Sequence, residues 1–288
     1  MLLQQIIGGL AVGCIYAIVA IGFVLIFKAS EAFNFAQGEF MMVGAFVAFT
    51  CITTFRLPFI PSFILTIIFM GIFGMFMERV FLRHLIGEPI FSVAMVTVGF
   101  SIIIKAVAGM VWTHEELRFP SPFPRGPYHF IGTVLSPVNV WVIIATVALV
   151  TILGLFFKYT KLGTAMRATG LNQLASLYMG ISLKNSYTIT WALSSMVAAV
   201  GGILLAPIVF LNVEMGSIGL KAFPAAILGG FGSIPGAIVG GCIIGISENL
   251  AGLYLPSGFK DVFAHLILIS VLLIKPTGIF GMAEHKRV

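Results

Sequence analysis

Long apolar runs that contain no charged residue alternate with short polar segments along the chain. The runs cover residues 1–27, 40–55, 57–77, 89–104, 126–157, 185–213, 222–247 and 262–274. A membrane-crossing helix needs about 20 mostly apolar residues, and basic side chains at its ends can reach the headgroups. Because the runs are continuous rather than alternating, helices are favoured over a β-barrel. The pattern predicts an all-α integral membrane protein, a polytopic bundle of about eight membrane segments in one domain, residues 1–288.

The amino-acid composition supports a membrane environment. Hydrophobic residues make up 59% of the chain and charged residues 9%, with a mean hydropathy of +1.12, whereas soluble domains carry about a quarter charged residues. The formal charge of +6 fits loops that touch anionic lipid and requires no nucleic-acid partner. Cys14, Cys51 and Cys242 lie in apolar runs, which indicates small core residues without a disulfide or metal role.

The basic residues favour an N-terminus on the outer side of the membrane, because cytoplasmic loops are rich in Lys and Arg. Inward segments would then hold Lys28, Arg79, Arg83, Lys158, Lys161, Arg167 and Lys184, and outward segments Arg56, Arg118, Arg125 and Lys221. The basic tail with Lys286 and Arg287 would return to the cytoplasm if residues 222–247 were re-entrant or crossed twice.

Residues 222–247 are rich in glycine and interrupted by proline. They carry two ridges of small residues spaced by four, Gly232, Gly236 and Gly240, and Ala237, Gly241 and Gly245. Such ridges let another helix approach closely. Pro235 is expected to break or kink the helix and to expose backbone groups, which is tolerated inside protein or beside a water-filled path. Tight helix packing and a translocation path both remain open.

Several polar residues interrupt the apolar pattern. Asn34, Gln37 and Ser233 lie near its breaks and are candidates for a substrate path, since uncharged polar groups satisfy a passing ligand without trapping it. Glu39 either attracts an ammonium group or caps a helix at headgroup level. Lys105 is either functional or reaches a headgroup. A surface ion-pair cluster is also expected, from Glu248, Asn249, Lys260 and Asp261.

A hydrophilic stretch from Lys161 to Lys184, within the loop 158–184, joins two apolar runs and contains no acidic residue. Its apolar positions recur at three and four residues, at Leu171, Leu174, Leu177, Tyr178 and Ile181. This spacing predicts a short amphipathic helix at the membrane surface. Its role is either to bind lipid headgroups or to contact another protein.

Motifs of enzymes are absent from the sequence. There is no G-x-x-x-x-G-K-[ST] loop for ATP, no G-x-S-x-G or H-E-x-x-H, and no His paired with Cys, Asp or Glu at metal spacing. No cofactor is therefore expected. The remaining classes are a permease whose motor lies on another chain, a secondary transporter and a channel.

Six segments, in order, carry a resemblance to a known family. They are LLQQIIGGLAVGCIYAIVAIGFVLIF, NFAQGEFMMVGAF, TKLGTAMRATGLNQLASLYMGI, GGILLAP, AAILGGFGSIPGAIVGG and LLIKPTGIFG. Over nearly its whole length the chain resembles the shorter permease subunit of bacterial ABC importers for branched-chain amino acids. The resemblance implies that the loop 158–184 is the cytoplasmic coupling segment, which docks into a cleft on an ATPase subunit.

The resemblance implies roles for particular residues of that loop. It places Ala165, Arg167, Ala168, Asn172, Ala175 and Gly180 in the coupling segment, with Leu174 and Tyr178 as its apolar face. Gly180 would end the coupling helix as a glycine cap. Gly170 departs from an uninterrupted helix at a cost of about 1 kcal/mol relative to Ala, so the coupling helix is expected to begin after it.

The mechanism that the resemblance implies is alternating access driven from outside this chain. A periplasmic binding protein would deliver the amino acid, two cytoplasmic ATPase subunits would supply the energy, and a second, different permease would pair with this one in the bacterial inner membrane. Related permeases carry urea or short amides, which remains an alternative. An ion-coupled secondary transporter is the rival class, although the apolar runs offer few acidic residues for a cation site.

Overall fold

The computed structural model describes residues 2–85, 88–120, 123, 126, 128–130, 133–254, 256 and 259–281. Most of them are helical, as the sequence predicts. The helices are α1 (Leu2–Ser30), α2 (Gln37–Thr53), α3 (Phe59–Val80), α4 (Ile90–Val111), α5 (Pro137–Tyr159), α6 (Lys161–Leu171), α7 (Gln173–Tyr178), α8 (Leu183–Leu205), α9 (Met215–Leu220), α10 (Ala222–Gly229), α11 (Ile234–Tyr254) and α12 (Phe259–Ile274). A 3-10 helix covers Leu82–Leu85, and an antiparallel hairpin pairs β1 (Tyr128–Phe130) with β2 (Thr133–Leu135).

Among the described residues, six helices are long and apolar enough to cross a membrane. They are α1, α3, α4, α5, α8 and α11. Three shorter apolar segments accompany them, α2, Met215–Gly229 and Val262–Ile274. The sequence predicts about eight segments, and the two that are not among the six long helices are the runs 40–55 and 262–274, which form the shorter helices α2 and α12. The apolar run 222–247 is not one helix, since it holds all of α10 and the first part of α11.

Contacts between helices fix their relative directions. Gly9 faces Ile246 and Ala17 faces Gly241, so α1 and α11 are antiparallel. The other side of α11 packs on α10, again antiparallel, because Gly236 faces Gly229 and Gly240 faces Ala225. Helix α10 therefore runs parallel to α1, and the chain reverses between α10 and α11.

The C-terminal residues of the described part return to this reversal. The backbone N–H of Ile279 donates to Leu228 O at 2.8 Å, and that of Phe280 donates to Gly229 O at 3.0 Å. The chain after α12 therefore returns to the C-terminal end of α10, an arrangement that fits a segment 222–247 that is either re-entrant or doubly crossing. The tail with Lys286 and Arg287 lies outside the described residues.

One end of the bundle is strongly basic. It gathers the C-terminal ends of α1 and α3, the loop 158–184, the start of α8 and the chain after α12. The basic residues near it, in the described part, are Lys28, Arg79, Arg83, Lys158, Lys161, Arg167, Lys184 and Lys275. We call this the basic end, and the positive-inside rule predicts that it faces the cytoplasm.

The two small-residue ridges of α11 pack within this chain. A Cβ at Gly236 or Gly240 would collide with the backbone of α10, and one at Gly241 or Gly245 with the backbone of α1. By contrast, none of the described residues places an atom within 4 Å of a Cβ built at Gly232, so this residue does not extend the ridge. The close approach of backbones is the physical reason for these glycines.

Pro235 does not kink a helix, which differs from the sequence-based expectation. The break comes earlier, at residues 230–233, where Gly230 adopts a positive φ of 98°. Pro235 lies in the first turn of α11, where a missing N–H costs nothing because first-turn N–H groups have no intrahelical partner. The Ser233 hydroxyl caps this turn by accepting from Gly236 N at 3.1 Å.

Helices α1 and α8 form the centre of the bundle. Most of their apolar residues are buried, whereas α3, α4 and α5 turn most of theirs outward. Outward apolar surface on long helices is what a lipid environment or a partner subunit requires.

Candidate coupling and translocation sites

The loop 158–184 folds as two short helices rather than one. Between α6 and α7, Asn172 is extended, with φ −158° and ψ 106°. Its side chain accepts from Ala175 N at 2.9 Å and so caps the start of α7. The predicted single amphipathic helix is therefore interrupted at Asn172, because the amide side chain competes with the backbone for the next N–H groups.

Gly170 is still helical, at the end of α6, and close packing explains why this residue is a glycine. A Cβ there would lie 2.7 Å from Lys28 O. Helix α6 can thus rest against the C-terminal end of α1 only because position 170 is glycine.

Gly180 ends the second helix of the loop. It has φ +80°, its N–H donates to Leu177 O at 2.9 Å, and Ile181 N donates to Ser176 O at 2.9 Å. This pair of bonds is the Schellman arrangement, which favours glycine at the left-handed position. The chain can then turn back toward α8.

The apolar side chains of the loop are largely uncovered at the basic end. Leu174 is 67% exposed and Tyr178 is 88% exposed, and Leu171, Leu177 and Met179 are exposed as well. Arg167, Asn172 and Ala175 are also exposed, whereas Ser176 is buried. Exposed large apolar side chains on a polar loop are typical of a protein interaction site.

The candidate path residues Asn34 and Gln37 are buried in a hydrogen-bond network that joins α1, α2 and α8. Asn34 Nδ2 donates to Gln37 Oε1 at 3.1 Å, and Ser194 Oγ donates to the same oxygen at 3.0 Å. Gln37 Nε2 donates to Ser194 O at 3.3 Å, and Ser194 Oγ also lies 2.9 Å from Gly22 O. These groups are satisfied by one another in this conformation, and Ser194 is a member that sequence reasoning missed.

Ser233, the third uncharged candidate, lies apart from that network. It occupies the turn between α10 and α11 near the basic end, as the cap of α11. The structure therefore does not bring Ser233 together with Asn34 and Gln37 in one site.

Glu39 lies in the first turn of α2 and is only 5% exposed. No described residue forms a hydrogen bond with its Oε2 atom, which is buried. On the other side, a Cβ built at Gly216 would lie 3.0 Å from Glu39 Oε1. Glu39 is thus covered by protein on the side of α9.

Lys105 does not stand alone in α4. Its Nζ lies 2.7 Å from Glu214 Oε2, and both side chains are open to the outside, at 38% and 67% exposure. Glu214 directly precedes α9 and was missed by sequence reasoning, although an acidic residue that closely follows a long apolar run is a signal for such a pair.

Glu248 is not part of a surface cluster, contrary to the expectation from the sequence. It is buried, it accepts a hydrogen bond from Tyr16 Oη at 2.8 Å, and its Oε1 lies 3.7 Å from Lys221 Nζ. Asn249 donates to Gln5 O at 2.6 Å, which ties α11 to α1. The side chains of Lys260 and Asp261 lie outside the described residues.

A third buried acidic residue, Glu78, lies at the basic end. Arg83 Nη2 lies 3.1 Å from Glu78 Oε2, and Thr188 Oγ1 lies 2.7 Å from the same oxygen. This network joins α3 to α8 next to the coupling loop. Within the described ranges, no three His, Cys, Asp or Glu side chains come close enough together to hold a metal ion.

The sequence is similar to permease proteins over nearly its whole length. Residues 5–272 match the family model described as the permease component of the branched-chain amino acid transport system. The chain is 33% identical to the high-affinity branched-chain amino acid transport system permease protein BraD of Pseudomonas aeruginosa, over 99% of this chain and 98% of BraD. It is 31% identical to LivH of Escherichia coli (strain K12), a permease protein described in the same words, over 99% of this chain and 97% of LivH.

A solved structure shares the fold. The chain superposes on a chain of PsaBC from Streptococcus pneumoniae, solved in complex with Fab, with a TM-score of 0.51 and 12% identity over 95% of this chain and 92% of that one. At this identity the likeness concerns the arrangement of helices alone.

Proposed function

The chain belongs to the family of permease components of branched-chain amino acid transport systems, and we propose that it carries leucine, isoleucine, valine or a similar amino acid into the cytoplasm. It is a transport subunit embedded in a membrane. The observation that carries the proposal is the family match over residues 5–272, on a bundle in which six of the described helices are long and apolar enough to cross a membrane.

The proposed assembly contains five kinds of component. This chain is a single permease domain, residues 1–288, and pairs with a second, different permease in the bacterial inner membrane. Two cytoplasmic ATPase subunits hydrolyse ATP, and a periplasmic binding protein delivers the amino acid. Membrane lipid surrounds the exposed apolar faces of α3, α4 and α5. In support, relatives at 31–33% identity bear names of permease proteins of high-affinity amino acid transport systems.

The loop 158–184 is the proposed coupling segment. Helix α6 packs on the end of α1, while α7 presents Leu174, Leu177 and Tyr178 as exposed side chains. A cleft on an ATPase subunit would bury these side chains, and Arg167 and Asn172 would offer polar contacts at its edge. Movement of the ATPase would then reach α1 and α8 directly through α6 and the turn after Gly180.

The substrate spectrum can be tested in cells. A host lacking its own branched-chain amino acid uptake would receive this chain with its neighbouring permease, ATPase and binding-protein genes. We expect saturable uptake of radiolabelled leucine. Unlabelled isoleucine and valine should compete with leucine for uptake, and urea should not. Uptake of urea or short amides in place of leucine would overturn the substrate assignment while leaving the family intact.

Asn34→Leu should lower the maximal rate of uptake and leave the half-saturating concentration nearly unchanged. The substitution leaves Gln37 short of a buried donor, at a cost of about 1–3 kcal/mol, where α2 begins. Affinity is set first by the binding protein and is therefore spared. Kinetics of leucine uptake measure both constants, and a change confined to half-saturation would contradict this prediction.

The proposed path itself can be tested by cysteine accessibility. Cys at position 34 or 233, in a chain whose own cysteines have been replaced, would be treated with small polar thiol reagents during the ATP cycle. Reaction in at least one state is expected if Asn34 and Ser233 line the path. Lack of reaction in every state would exclude them from it.

A further inference from the structure

Three charged side chains come from neighbouring elements, α2, α4 and the start of α9. They are Glu39, which is buried, and Lys105 and Glu214, which pair with each other at 2.7 Å on the outside of the subunit. Gly216, two residues after Glu214, packs against the Glu39 carboxylate and so brings the pair beside Glu39. Charged groups on membrane-spanning helices are costly in lipid and are retained where they face protein, water or a ligand.

Glu39 is the member whose hydrogen bonding is incomplete. Its Oε2 is buried and has no hydrogen-bond partner among the described residues. Lys105 is held instead by Glu214. Leaving a buried carboxylate oxygen without a donor is unfavourable, so the arrangement is set up for a donor that the described residues do not supply.

The surface beside Glu39 carries polar side chains among the apolar ones that lipid requires. Helix α9 buries Met215, Gly216 and Gly219 and turns Ser217 and Leu220 outward, and Glu214 is exposed just before it. Lys105, Glu214 and Ser217 form a polar strip on the outside of the subunit. A strip of this kind fits a face that looks into a path between two permeases and does not fit a face covered by acyl chains.

We propose that Glu39 and Lys105 form a transient site for the zwitterionic group of the transported amino acid, an inference that rests on the proposed function. The Glu39 carboxylate accepts hydrogen bonds from the substrate ammonium. Lys105 exchanges Glu214 for the substrate carboxylate. The apolar side chain of the substrate lies along Ile102, one turn before Lys105 on the same side of α4 and 65% exposed.

The exchange keeps the site weak, as passage requires. Lys105 exchanges one carboxylate for another, so this contact adds little to the free energy of binding. The net new interaction is the hydrogen bond between Glu39 and the substrate ammonium. Sites that are favourable enough to enter yet weak enough to leave allow conduction. Gly216 contributes by leaving room beside Glu39 Oε1.

The first test uses Glu39→Gln in the complete transport complex in proteoliposomes. Uptake at saturating loaded binding protein should fall about tenfold or more, because a charge-assisted hydrogen bond is lost. Stimulation of ATP hydrolysis by loaded binding protein should stay within about twofold of wild type. Uptake by Glu39→Gln at the wild-type rate would overturn the site, whereas a wild-type complex that transports no amino acid would overturn the proposed function instead.

Matched variants separate charge from structure. Glu116→Gln makes the same chemical change in an exposed loop residue and should leave uptake unchanged. Glu39→Asp keeps the carboxylate and should recover part of the uptake that Glu39→Gln loses. Equal loss in the Asp and Gln variants would show that charge is not what position 39 supplies, and would overturn the proposal.

A second test does not depend on folding of a Glu39 variant. Ser217→Cys, in a chain with Cys14, Cys51 and Cys242 replaced, places a thiol on the polar strip. We expect it to react with membrane-impermeant thiol reagents, faster with a cationic reagent than with an anionic one, and more slowly when loaded binding protein and ATP are present. Absence of reaction in every state of the cycle would mean that the strip faces lipid or closed protein, which overturns the proposal.

Discussion

Replacing Gly245 with leucine is expected to prevent α1 and α11 from packing and to remove most of the folded permease from the membrane. A Cβ at this position would fall on backbone atoms of Gly13 and Gly9. Backbone atoms cannot move aside as a flexible side chain can, so the helices must separate. Forcing side-chain atoms into a close-packed interior costs about 1–3 kcal/mol and more where the backbone is displaced.

The measurement is the yield and monodispersity of the detergent-solubilised chain by size-exclusion chromatography. Gly154→Leu is the matched control, because Gly154 lies in α5, is exposed, and has no atom of the described part of the chain within 4 Å of a built Cβ. The control should behave as wild type while Gly245→Leu aggregates or is degraded. A monodisperse Gly245→Leu chain at the wild-type yield would contradict the packing described for α1 and α11.

Leu174→Asp is expected to uncouple ATP hydrolysis from uptake without unfolding the bundle. Leu174 is 67% exposed in the free chain, so a charge there costs little until the ATPase binds. In the complex, burying a leucine contributes about 1.5–3 kcal/mol, and a carboxylate in the same cleft adds a desolvation penalty. Affinity for the ATPase should fall by about tenfold or more.

Two measurements test this prediction: co-purification of the ATPase with the permease, and the rate of leucine uptake. Leu174→Met keeps an apolar side chain of similar size and should retain both binding and uptake. Normal ATPase binding and normal uptake in Leu174→Asp would remove α7 from the coupling role.

The glycine pattern of α11 shows how much of the helix packing can be predicted from the sequence. A spacing of four puts Gly236 and Gly240 on one side and Gly241 and Gly245 on another, and both sides do pack against other helices. Spacing cannot tell where a ridge ends, because that depends on the length of the neighbouring helix. Gly232 therefore falls outside the contact, in the turn that follows Gly230.

The sequence predicts the helices better than it predicts the partners of the polar residues that lie among apolar ones. Glu248 and Lys105 stand alone in the sequence, yet their partners, Lys221 and Glu214, come from segments far away along the chain. Periodicity reports which residues share a face, and it does not report which element covers that face. Asn172 shows the local limit, since capping by its own side chain overrides the helical pattern that continues on both sides.

The central claim is that this chain transports amino acids only as part of an ATP-driven complex, and uptake by reconstituted proteoliposomes tests it most directly. Vesicles would hold both permeases and both ATPase subunits, with leucine-loaded binding protein on the opposite face from ATP. We predict leucine accumulation that requires ATP and the binding protein and is unaffected when sodium and proton gradients are collapsed. Leucine accumulation driven by an ion gradient in vesicles that contain this chain without ATPase subunits would contradict the account.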